Sequence, residues 1–152
     1  MLRNLIILLI ALTGSATCYA WVTVSEIPHF DIAKIKKNGL TKRQAQSLLV
    51  FSLKHEKYNM LLPGVFIDDD LRPSGPYYHE MSVGYDTPAA GAIEYWGLFS
   101  ISPKTGDIWE EYSCERISFP ELKNIQTEIM KKTGVTFSDE KVQRRGLGCT
   151  DE

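Results

Sequence analysis

Four kinds of side chain in this sequence could carry chemistry, and their spacing decides how much. His29, His55 and His79 stand far apart, with no H-x-H or H-E-x-x-H pattern, so no local segment brings two imidazoles onto one metal. Asp68, Asp69 and Asp70 are consecutive. A calcium loop needs oxygen ligands at alternating positions around a glycine turn, which this run lacks. Glu80, Glu94, Glu110 and Glu111 fall in stretches that read as strands, and two carboxylates facing each other across a sheet are the equipment of a glycosidase. Cys114 and Cys149 have no neighbouring histidine to activate a thiol. A Gly-x-Ser-x-Gly elbow, a phosphate-binding glycine loop and a dinucleotide fingerprint are all missing from the sequence. The expectation is a chain with no catalytic centre, no metal and no cofactor, whose business is recognition.

The compartment follows from the first residues. Residues 1–20 open with Arg3, continue through an apolar core from Leu5 to Leu12 and end in small residues up to Ala20, the pattern of a secretory signal. The core is shorter than the about 20 residues a membrane-spanning helix needs. Cleavage after Ala20 is expected, rather than lipidation of Cys18, leaving residues 21–152 as one domain without stable membrane insertion. The whole chain has a formal charge of −2, and losing Arg3 makes the mature part slightly more acidic, so nothing favours a nucleic-acid partner. In an oxidising compartment the two remaining cysteines, Cys114 and Cys149, are expected to form a disulfide. Such a bridge stabilises by about 3 to 4 kcal/mol in the chain-entropy model.

The elements that must position these residues centre on a sheet. Tyr77, His79, Met81, Val83 and Tyr85 alternate with more polar residues at the period of a half-buried strand. The run from Ile93 to Ser102 reads as a central strand covered on both faces. Pro103-Lys104-Thr105-Gly106 supplies a reversal, and a third strand is expected from Asp107 to Cys114. Thr41 and Gln44 form a capping-box pattern with Leu40 and Ala45 as its staple, and Ala45, Leu48, Leu49 and Leu53 make a helical stripe. Ser118 and Glu121 repeat that pattern before Leu122, Ile125 and Ile129, with Gly134 as a stop. Asp31 caps a short helix, whereas the segment before it reads equally as a strand or a packed arm. Residues 59–76 read as one long loop holding the aspartates and Arg72. The fold expected is α+β: an antiparallel sheet of three or more strands, packed by one or two helices, with one disulfide.

The block from Tyr95 to Trp109, an aromatic strand followed by Pro103-Lys104-Thr105-Gly106 and a short apolar strand, resembles the closing hairpin of PepSY-type domains, with the Thr41 helix in the place of that family's preceding helix. The resemblance spans roughly residues 40–112. It implies an exported binding or inhibitory module of the PepSY-like or cystatin-like kind.

Recognition also accounts for the aromatic residues, 11% of the chain, which cluster in and beside the sheet. Trp96, Phe99 and Tyr112 are expected in the core. Tyr77 and Tyr78 are adjacent on a strand and must face opposite ways, so one points outward beside the acidic loop. The expected partner is a protein, an envelope-acting or secreted enzyme such as a cell-wall-degrading toxin. An immunity protein would block it by occlusion, using Asp68, Asp69, Asp70, Arg72, Tyr77 and Tyr78, in the periplasm or outside the cell. Two other readings stand beside this one: a PepSY-type binder of a small ligand or peptide, and a small envelope hydrolase using strand glutamates.

Overall fold

The computed structural model describes residues 22–69, 77–87, 89 and 91–149. The expected signal, Asp70 and Arg72 lie outside the described residues. Among those described, six strands pair antiparallel in sequence order: β1 (Val22–Thr23), β2 (Val65–Asp68), β3 (His79–Thr87), β4 (Ala92–Ile101), β5 (Ile108–Glu110) and β6 (Glu115–Arg116). α1 (Lys42–His55) lies between β1 and β2, and α2 (Pro120–Thr133) and α3 (Lys141–Arg145) follow β6. The α+β architecture and its antiparallel sheet are as the sequence predicts.

α1 starts where its chemistry says it should. The Thr41 hydroxyl accepts from the Gln44 backbone while the Gln44 side chain accepts from the Thr41 backbone, and Leu40 and Ala45 are both buried. Leu48, Leu49 and Leu53 then join Leu122 and Ile129 of α2 in one core with Val65, Ile67, Met81, Val83, Phe99, Ile101 and Ile108 of the sheet. The register puts Phe66, Asp68, Ser82, Leu98, Ser100 and Trp109 on the opposite face, and they too are buried.

The turn between β4 and β5 ties several elements together. Its Pro103 carbonyl accepts from Leu40 N (2.7 Å), its Gly106 carbonyl from Gln126 Nε2 (2.9 Å) and its Lys104 carbonyl from Thr133 Oγ1 (2.7 Å). Gly39, with φ +95°, lies so close that a Cβ there would stand 2.3 Å from the Pro103 oxygen. One turn therefore fixes the start of α1 and the inner face of α2.

Several sequence expectations need correction. Val65, Phe66 and Ile67 belong to β2, an interior strand between β1 and β3, rather than to a loop. β5 stops at Glu110 because the Glu110 carboxylate accepts from both Ser113 N and Ser113 Oγ at 2.6 Å, closing a turn in which Cys114 takes φ 54°. Tyr112 thereby leaves the sheet and is 77% exposed instead of buried. β4 is covered only over its second half, because its first residues pair with β3 beyond the reach of β5. Ser118 does not cap α2: Phe119 is the N-cap, with no side-chain capping bond, and Pro120 supplies the fixed φ of the first turn.

Candidate functional site

The loop that the sequence singles out is only partly a surface. Asp68 ends β2 and is buried, and so is Tyr78; neither offers its side chain as open contact area in the free chain. Asp69 is held by Lys42 Nζ at 3.0 Å and Gln46 Nε2 at 3.1 Å, both from α1. Tyr77 is 56% exposed and Tyr78 4%, but β3 begins at His79, so both precede the strand on which the sequence places them. Burial, with Glu140 and Asp107 nearby, pushes the Tyr78 phenol well above its ordinary range.

The buried carboxylates lie instead under the C-terminal segment. Asp107 is fully buried and accepts from Trp109 Nε1 (2.9 Å) and Arg116 Nε (2.6 Å), while the Arg116 guanidinium lies 4.3 Å from the Phe137 ring centroid. Glu140 accepts from Ser102 Oγ (2.5 Å) and Thr105 Oγ1 (2.7 Å). Both acids are saturated by fixed donors, an arrangement that clasps the segment to the sheet rather than one that moves a proton. A disulfide between Cys114 and Cys149, with Cα atoms 5.1 Å apart, closes this cover.

The clasp predicts a pH dependence. Burial raises the Glu140 pKa, the Ser102 and Thr105 hydroxyls oppose that shift, Asp107 adds to it and Arg144 opposes it; the net direction is up. The proton is held more tightly in the folded chain than in the unfolded one. This contribution to stability is therefore fully present below the ordinary carboxylate range and is lost as pH rises through the folded value. Urea melts from pH about 7 down to about 5 should show the native chain gaining stability relative to Glu140→Gln. Parallel curves for the two proteins would contradict the assignment.

At another part of the surface, three separate segments enclose an open cleft of about 740 Å³, lined among others by Glu56, Tyr58, Trp96, Glu110, Tyr112 and Glu115. Tyr58 follows α1 through Lys57, whose φ of 69° turns the chain out of the helix. Trp96 is the extra residue of the β4 bulge, and its ring lies 5.9 Å from that of Tyr58 and 6.1 Å from that of Tyr85. Burial raises the Tyr58 pKa, and Glu110, Glu115 and Glu56 each raise it further, so three carboxylates act on one ring. Burial pushes Glu110 up, but hydrogen bonds from the Ser113 side chain and from the Ser113, Tyr112 and Leu98 backbones outweigh it, and its pKa is lowered. The cleft is anionic and aromatic. Sequence reasoning passed over Glu56, Tyr58 and Glu115, which no motif connects.

The strand glutamates divide between these places. Glu110 lines the cleft, and Glu111 accepts from Ser100 Oγ at 2.5 Å. Glu80 pairs with Ser100 and Glu94 with Tyr85 in the β3–β4 ladder. Among the described residues no group of three or more His, Cys, Asp or Glu could hold a metal, and no helix is long and apolar enough to cross a membrane.

A family model described as the type VI secretion system immunity protein Tgi2PP matches residues 39–141. The chain belongs to this immunity-protein family. The matched span runs from Gly39, ahead of the α1 cap, to the first residue of α3 and so takes in α1, strands β2 to β6, α2, the β4–β5 turn and the whole cleft, but not β1. A solved structure titled as a type VI secretion system effector-immunity complex from Pseudomonas protegens contains a chain 50% identical to this one. The match has a TM-score of 0.75 and covers 80% of this chain and 99% of that one. The comparison with curated proteins gives no match. Family membership supports the immunity-type expectation and not a PepSY or cystatin kinship.

Proposed function

We propose that this chain is a periplasmic immunity protein that binds a type VI secretion toxin effector directed at the cell envelope, such as a cell-wall-degrading enzyme, and silences it by occlusion without catalysis of its own. The observation that carries this reading is the 50% identity, over 80% of this chain and 99% of the other, to a chain from an effector-immunity complex. The apolar leader with Arg3 and the Cys114–Cys149 pair support an oxidising compartment outside the cytoplasm. The exposed Tyr77 offers one contact rim, with the α1-held Asp69 and the buried Asp68 and Tyr78 as its support; Asp70 and Arg72, outside the described residues, complete the proposed contact set.

The test is protection in cells. The chain's cognate type VI effector, sent to the periplasm of a susceptible host, should be lethal alone and harmless when residues 1–152 are present. A version starting at Trp21, kept in the cytoplasm, should give no protection. Equal protection by both versions would overturn the periplasmic site of action, and protection by neither would overturn the immunity reading.

A further inference from the structure

We propose that the cleft between Tyr58, Trp96 and the β5–β6 turn receives a basic side chain, best an arginine, presented by a protruding loop of the toxin effector. This rests on the immunity reading and names the surface and chemistry of its contact.

Three features carry the assignment. The first is charge complementarity. Glu56, Glu110 and Glu115 line the cleft, and the cation beside them, Arg116, is already spent: its Nε pairs with buried Asp107 at 2.6 Å. The exposed Glu115 carboxylate acts on the Tyr58 ring, and the fixed donors around Glu110 favour its ionised form. The field in the cleft is negative and locally unbalanced.

The second feature is the aromatic wall. Tyr58 and Trp96 both line the cleft with their ring centroids 5.9 Å apart, and an indole face is the best cation–π surface a protein has. Exposed Tyr112 forms the rim. A guanidinium can stack on such a wall while donating a planar fork to a carboxylate, which an ammonium cannot do.

Rigidity is the third. Glu110 is fixed by Ser113 N, Ser113 Oγ and Leu98 N, while Trp96 is locked at a bulge inside the long β3–β4 pair. A preformed receptor loses little entropy on docking. Its carboxylates also steer a cationic partner before contact.

The experiment measures association and dissociation of the purified cognate effector with the native protein, Glu115→Lys, Tyr112→Ala and, as the competing rim, Tyr77→Ala. All three substituted side chains are exposed, and circular dichroism melts confirm that each variant folds. Glu115→Lys should weaken binding at least about tenfold, with a slower association whose salt dependence is reduced, and Tyr112→Ala should speed dissociation. Affinities within about twofold of native for both cleft variants, beside a native chain that binds tightly, would overturn the cleft while leaving the immunity reading intact. A native chain that does not bind the effector at all would instead bring down the reading on which the cleft rests.

Discussion

Trp109→Ala should be the most damaging single core substitution on the C-terminal side of the sheet, lowering stability by about 3 to 5 kcal/mol. The side chain is 1% exposed, so its removal leaves a cavity that the paired strands β4, β5 and β6 cannot collapse into. It also removes the indole N–H that Asp107 accepts at 2.9 Å, and takes away the ring over which Arg116 lies at 6.0 Å. A fully buried carboxylate then keeps only Arg116 as its charged partner, and an under-satisfied buried charge adds to the cavity cost. Urea unfolding followed by circular dichroism gives the number. Trp109→Phe separates the two causes, since it retains most of the ring and loses the donor. A loss below about 1 kcal/mol for the alanine variant would show that the site collapses or that the cluster is not a packing anchor.

The second large effect is expected from the cysteines. Cys114→Ser with Cys149→Ser should cost about 3 to 4 kcal/mol, from a loop closed across a sequence separation of 35 residues. The damage should also be local. Glu140, Arg144 and Phe137 cover the second sheet face from a segment that contains only the short helix α3, which cannot hold its own shape without tertiary contacts. Amide exchange in the double variant should rise across residues 134–149 more than in α1 or β3. Uniform exchange with unchanged stability would mean that the Glu140 clasp suffices without the bridge.

These two clusters show what could be read from residues alone. The Thr41–Gln44 box, the Gly106 reversal and the cysteine pair were legible because each is local or fixed by counting. β2 was not. Its apolar core is three residues between Pro63-Gly64 and the aspartates, and what makes it a strand is pairing with β1 and β3 on either side. Tyr112 was misplaced for a related reason: period-two alternation continues through Glu111 in the sequence, but the Glu110 carboxylate captures Ser113 and ends the strand.

The candidate site was less legible than the fold. Its parts come from the end of α1, the β4 bulge and the β5–β6 turn, brought together only by sheet topology. A bulge is invisible to alternation, so nothing in the sequence says that Trp96 and Tyr58 share a wall. The aspartate run attracted notice because it is contiguous. In the structure Asp68 is buried and Asp69 is neutralised by α1, which leaves Tyr77 as the open side chain described there.

Silencing of a toxin effector by this chain, as proposed, requires that the two form a complex. A titration of residues 21–152 into the purified cognate effector, following both complex mass and effector activity, decides it. One defined complex should form, and activity should fall to zero as that complex saturates. Full effector activity in the presence of excess folded, disulfide-bonded chain would contradict it.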